Sequence, residues 1–172
     1  PAIGPDTIVL SLQNGLGNIE QISKHVPVDR IVAGTTAMGA NLKAANHLVV
    51  AGRGETIIGS PGKKLANANA AAKLLRDAGL TVTVTDNLEG AIWSKLIINA
   101  GINALASWLD SYNGEILNTA PTYYIMVRLV EEAAAVAARK RIKLLYKDPV
   151  LKTEEVIRAT APNINSMLQD LK

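Results

Sequence analysis

The stretch LTVTVTDNLEGAIWSKLIINAGINAL, residues 80–105, contains the change of texture that decides the fold. Leu80–Thr85 is short, β-branched and bounded by turn residues, as a strand is. From Asp86 onward strand signals stop and apolar residues recur with helical spacing. Asp86 or Asn87 can cap a helix that runs to about Asp110. An α/β part is therefore expected to give way to an all-helical part near residue 86.

Upstream, strand and helix signals alternate. Thr7–Leu12 is a β-branched, nearly all-apolar run, as expected of a strand buried on both faces. Gln13–Asn18 reads as a turn whose Gly and Asn residues supply positive φ. Ile19–His25 is a short helix candidate. Ile31–Ala40, Leu48–Ala51 and Glu55–Ile58 read as three further strands, with Gly52-Arg53-Gly54 as a hairpin between the last two. Lys64–Ala78 is an Ala-rich helix closed by Gly79. This is the pattern of the second half of an α/β sheet domain. Downstream, Asn113-Gly114 marks a turn, and a helix spans Pro121 to about Lys140. Asp148-Pro149 opens another helix that runs to about Thr160. Pro162-Asn163 ends it and leads into a last helix, Ile164–Lys172.

Composition narrows the function classes. Hydrophobic residues make up 48% of the 172, enough for a substantial core and against disorder. The net charge is 18 − 15 = +3, with Lys63-Lys64 and Arg139-Lys140-Arg141 the tight basic groups. These read as solvated surface, and 3% aromatics with no Phe argues against base stacking, so no nucleic-acid partner is expected. Absence of Cys excludes disulfides and Cys-metal sites and fits a reducing, cytoplasmic compartment. Apolar runs end well before membrane-spanning length. Pro1 opens no secretory leader, and the lack of an initiator Met suggests that the N-terminus lies upstream.

Lys95, Asn99 and Asn103 follow one another by four residues. On a helix they form a stripe about 80° wide and about 12 Å long. Their neighbours Ile92, Trp93, Leu96, Ile97, Ile98, Ile102 and Leu105 are apolar. Buried amides and ammonium groups without partners are costly, so the stripe either bonds to other protein or lines a wet cleft. A lysine with two amides one and two turns on suits a small, oxygen-rich anion. The alternative is that Lys95 snorkels to solvent and the asparagines bridge helices. Spacing alone leaves both open.

Four segments resemble the ketopantoate reductase family. Trp93-Ser94-Lys95-Leu96-Ile97-Ile98-Asn99-Ala100-Gly101-Ile102-Asn103-Ala104-Leu105 is similar to its W-x-K-L-x-x-N-x-x-I-N-P-L signature. Leu12–Asn18 resembles its L-Q-N-G-x-G-N loop, Asn113–Leu117 its N-G-E-L segment, and Asn165–Asp170 its S-S-M-L-Q-D segment. The matches fall in family order and span nearly the whole chain.

The resemblance implies a fold and a set of roles. Residues 1–86 would be the second half of a Rossmann-like, NADP-binding domain. Residues 87–172 would be an all-α substrate and dimerisation domain of the 6-phosphogluconate dehydrogenase C-terminal type, incomplete at its C-terminus. Lys95 would be the general acid, Asn99 and Asn103 would contact substrate, Ser166 its carboxylate end, and Asn14 the nicotinamide side of NADP. The implied reaction is NADPH-dependent reduction of 2-dehydropantoate to pantoate, on the route to pantothenate, in a cytoplasmic enzyme for which a homodimer is one assembly. Ala104 stands where the family has Pro, and Ala106 where Thr is common. Asn165 replaces a Ser, a change expected to matter little.

Two family features have no counterpart. Gly15-Leu16-Gly17-Asn18-Ile19-Glu20 and Gly52-Arg53-Gly54-Glu55-Thr56-Ile57 each begin a G-x-G-x-x-G phosphate loop and lack its third Gly. The substrate-binding Glu that follows the S-M-L-Q-D segment lies beyond Lys172. The chain is thus expected to be a piece of the enzyme, inactive alone. Two alternatives stand beside this reading: a reductase of another small 2-keto acid, and a non-catalytic helical fragment or interaction module. His25 and His47 lack partners at metal-ligand spacing, so no metal is expected. Glu131-Glu132 reads as an exposed face, and Tyr123-Tyr124 and Trp108 read as core or interface.

Overall fold

The computed structural model describes residues 3–62 and 64–172. Lys63, one of the basic pair noted above, lies outside them. The chain forms two compact units, Pro1–Ile92 and Trp93–Lys172.

The first unit is built from two βαβ segments. Strand β1 (Val9–Ser11), helix α1 (Asn18–Ile22) and strand β2 (Ile31–Thr36) make the first, with β1 and β2 parallel in the register Val9 to Ile31. Strand β5 (Thr56–Gly59), helix α2 (Ala66–Asp77) and strand β6 (Val82–Val84) make the second, also parallel. The two meet through antiparallel pairing of β2 with β5, giving one sheet of order β1-β2-β5-β6. Val32, Ile58 and Val82 of this sheet pack with Ala68 and Ala72, which lie four apart on one face of α2. Gly79, at φ 86°, closes α2 as the sequence suggests, with its N–H on Arg76 O and that of Leu80 on Leu75 O.

Three strand expectations need correction. The run Ile31–Ala40 is two strands: β2 stops at Thr36, and β3 (Gly39–Ala44) begins after a break. The hairpin is not at Gly52-Arg53-Gly54. β3 pairs antiparallel with β4 (His47–Gly52) in a separate two-stranded sheet, and the turn is at Ala45-Asn46, with Asn46 at φ 64°. Gly54 serves a crossing instead. A Cβ there would lie 2.3 Å from the carbonyl oxygen of Ala37, so only glycine lets the two backbones pass. Finally, β1 is half-buried rather than covered on both faces, because it lies at the edge of its sheet among the described residues.

The second unit is helical. Asn87 caps helix α3 (Leu88–Trp108), its Oδ1 accepting from Gly90 N at 3.2 Å. The helix stops two residues before the expected Asp110. Asp110, at φ 48°, forms the closing turn, and Ser111 N bonds to Ala106 O. The Asn113-Gly114 turn is a 3-10 segment, Asn113–Leu117. Helix α4 (Ala120–Arg139) is capped by Thr119 and carries Pro121 in its first turn. Helix α5 (Pro149–Ala159) starts at the Asp148-Pro149 pair, the Asp148 side chain accepting from Leu151 N at 2.9 Å. Helix α6 (Ser166–Leu171) is shorter than Ile164–Lys172.

Trp93, Ile97, Ile102, Leu105 and Ala106 of α3 form a core with Ile116, Met126, Val130, Ala137 and Ile157. Gly101 permits the close approach: a Cβ there would sit 2.6 Å from Val130 Cγ2 and 3.2 Å from Thr153 Cγ2. Of the core-or-interface reading of Trp108 and the tyrosine pair, the core half does not hold. Trp108 is 78% exposed, and Tyr123 and Tyr124 are also exposed among the described residues.

Candidate active site

Helix α3 places Lys95, Asn99 and Asn103 one turn apart, and all three are partly buried. Partial burial is the informative state, since none of the three side chains is either fully solvated or fully enclosed. Removing water disfavours the charged form, so the Lys95 ammonium releases its proton more readily than an ordinary lysine. The amides extend the polar surface by about two turns, about 12 Å. A proton donor followed by two neutral groups that both donate and accept can hold a small carbonyl or carboxylate substrate in one orientation.

The stripe continues one step further than the sequence reading took it. Ser107 follows Asn103 by four residues, and its Oγ donates to Asn165 Oδ1 at 3.2 Å. Asn165 also caps α6, accepting from Leu168 N at 3.0 Å. It is only 7% exposed. The replacement of a serine by asparagine here, expected to matter little, thus builds both a helix cap and the bond that holds the start of α6 against α3. Ser166, the first residue of α6, is exposed and next in the chain to that junction.

At the other end of the stripe the segment after α4 is tied to α3. Ser94 is 5% exposed and immediately precedes Lys95. Its Oγ accepts from Leu145 N at 2.9 Å, and its main-chain oxygen accepts from the Tyr146 hydroxyl at 2.8 Å. Burial pushes the Tyr146 phenol up to about 12, although its bond to Ser94 acts in the opposite direction. The phenol is therefore a proton donor throughout the neutral range.

Asn14 belongs to the first unit. It is exposed in the bend after β1, and its carbonyl accepts from Asn18 Nδ2 at 3.2 Å. Gly15 and Gly17 lie at φ 90° and 88°, and a Cβ on either would meet nothing within 4 Å. The loop therefore offers open backbone at the carboxyl end of β1, where ligands bind in open α/β sheets. Among the described residues no group of three or more His, Cys, Asp or Glu side chains could hold a metal ion. No described helix is long and apolar enough to cross a membrane.

Two family models match this arrangement: "Ketopantoate reductase PanE/ApbA C terminal" over residues 87–172, and "Ketopantoate reductase PanE/ApbA" over residues 1–63. The chain belongs to the ketopantoate reductase family. The 2-dehydropantoate 2-reductase of Archaeoglobus fulgidus is 35% identical over 166 residues, covering 96% of this chain and 55% of that protein. The chain thus spans about half the length of the curated relatives that it matches. The solved structure of 2-dehydropantoate 2-reductase from Geobacter metallireducens GS-15 superposes with a TM-score of 0.91 at 27% identity, covering 99% of this chain and 57% of that one. A ternary structure of D-mandelate dehydrogenase with NADH and anilino(oxo)acetate also gives 0.91, at 30% identity, with 98% and 56% covered.

In this member of the ketopantoate reductase family, the sequence pointed to Lys95, Asn99, Asn103, Ser166 and Asn14 as candidates. It missed Ser107, although the same spacing by four would have found it. The bonds of Ser94 to Leu145 and Tyr146 and of Asn165 to Ser107 gave no local signal, since they span 51, 52 and 58 residues.

Proposed function

We propose that this chain forms the substrate-proximal part of an NADPH-dependent reductase that converts 2-dehydropantoate to pantoate in the cytoplasm. The observation that carries the reading is the partly buried Lys95 at the head of the Asn99–Asn103 stripe, in a chain of the ketopantoate reductase family. Residues 1–86 serve in this reading as part of the dinucleotide-binding domain and 87–172 as the helical substrate domain. The exposed Asn14 and the open Gly15–Gly17 backbone fit one side of a nicotinamide.

A nicotinamide dinucleotide held on the Asn14 side would supply the hydride for the carbonyl carbon. Negative charge then grows on the keto oxygen, and Lys95 Nζ stabilises it and gives up a proton to it, completing the alcohol. Desolvation suits Lys95 to this task by loosening its hold on the proton. Asn99 and Asn103 orient the substrate's oxygens, and Ser166 Oγ binds its carboxylate end. The test is NADPH oxidation by the full-length polypeptide with 2-dehydropantoate. Turnover is expected, and no turnover with any 2-keto acid would end the reading.

A second substrate class has specific support. The likeness to a D-mandelate dehydrogenase solved with NADH and anilino(oxo)acetate favours a 2-keto acid with a bulkier substituent and NADH as donor. Comparing kcat/KM for 2-dehydropantoate and phenylglyoxylate, each with NADPH and NADH, separates the two.

A further inference from the structure

We infer that Tyr146 is a positioning residue for Lys95, acting with Ser94 as a clamp on the turn of α3 that carries the lysine. The inference rests on the role given to Lys95 above and extends it to residues that never touch substrate.

Residues 142–147 have no regular hydrogen-bonded structure. They follow α4 after Arg141, which turns the chain at φ 58°. Ile142 and Leu144 pack at the edge of the helical core, which anchors the segment without orienting it. Two hydrogen bonds by adjacent residues then reach one target on α3. Leu145 N–H reaches Ser94 Oγ, and Tyr146 O–H reaches the Ser94 carbonyl. That carbonyl also lies within the helical ladder of α3, so Tyr146 fills its second lone pair.

The target is the residue before Lys95. Fixing both the side chain and the carbonyl of Ser94 fixes the local backbone from which the lysine projects. The carbonyl end of Ser94 is the peptide that begins Lys95 itself. Proton delivery depends steeply on placement, and a shift of about 1 Å in a positioning contact costs about a hundredfold in rate. The phenol keeps its proton across the working pH range, so the clamp stays closed while Lys95 titrates. The substitution that isolates it is Tyr146→Phe, which removes one oxygen and keeps the ring that fills the partly buried site.

The experiment is a double-mutant cycle in the full-length polypeptide, using Tyr146→Phe, Lys95→Ala and both together. Tyr146→Phe alone is expected to lower kcat about tenfold, with KM within about twofold, as for a misplaced acid with intact substrate binding. In the Lys95→Ala background the same change is expected to alter the residual kcat by less than about twofold, because the group it positions is gone. Equal losses in both backgrounds, or no loss in Tyr146→Phe alone, would overturn the inference. If Tyr146→Phe does not fold by circular dichroism, Ser94→Ala is taken through the same cycle with the same criteria. An unchanged kcat in Lys95→Ala defeats the acid role and the clamp together, whereas a large loss there with additive effects defeats the clamp alone.

Discussion

Lys95 holds its proton less firmly than a solvated lysine, because burial disfavours the ammonium form. In the proposed reaction that proton is consumed, so kcat is expected to fall as pH rises through a value below the ordinary 10.5. A pH-rate profile at saturating substrate reads this limb directly. The stability sign is separate. Between the lowered folded value and 10.5, the unfolded chain binds the proton that the folded chain has lost, so the contribution of Lys95 to stability rises with pH in that window. Lys95→Ala is expected to lower kcat with 2-dehydropantoate by about 10²–10⁴-fold, the range of a lost general acid. A kcat within threefold of the parent, in the NADPH assay, would remove it from that role. Asn165→Ala is expected to cost about 1–2 kcal/mol in urea unfolding, through loss of the α6 cap and the Ser107 bond. Which of these residues were readable follows from distance along the chain. Lys95, Asn99 and Asn103 announce themselves because helical periodicity is local. Tyr146, and Asn165 in its bond to Ser107, matter through partners more than fifty residues away, and no window of sequence contains both ends of those bonds.

Elements were legible where punctuation is chemical and misread where it is steric. Asp148-Pro149 and Gly79 carry their meaning in side-chain or φ chemistry, and the helices begin and end there. Gly52-Arg53-Gly54 looked like a turn because glycine marks turns, yet Gly54 is needed where the backbone at Ala37, between β2 and β3, passes close by, which only tertiary structure reveals. Two substitutions follow at this scale. Gly101→Ala improves helix propensity by about 1 kcal/mol but drives a methyl into Val130 and Thr153. Overpacking of this kind costs about 1–3 kcal/mol, so a net loss of stability is expected, recovered in Gly101→Ala combined with Val130→Ala. Arg141→Gly relieves a left-handed residue at the end of α4. A rise of about 1 kcal/mol in unfolding free energy is expected, readable by thermal melting.

At the scale of the chain, two cores stand on separate residues, one around Ile58 and Val32, the other around Ile97 and Ile157. The change from α/β to all-α texture was visible because the period of the apolar pattern switches from strand to helix. The pairing of β2 with β5 was not, since sheet order is set by contacts between segments that read alike. Two cores predict two calorimetric transitions. Ile58→Ala is expected to lower only one and Ile157→Ala only the other, each by about 2–5 kcal/mol of local stability. Equal shifts of a single transition would show instead that α3 couples the two. That helix also carries the chain's two tryptophans. Trp93 is 6% exposed and Trp108 78%, fifteen residues apart on one rod. The protein is thus spectrally labelled by nature: one indole emits from a dry interior two residues from Lys95, the other from water. In Trp108→Phe the remaining emission is a dye-free reporter of the dry core into which α3 packs.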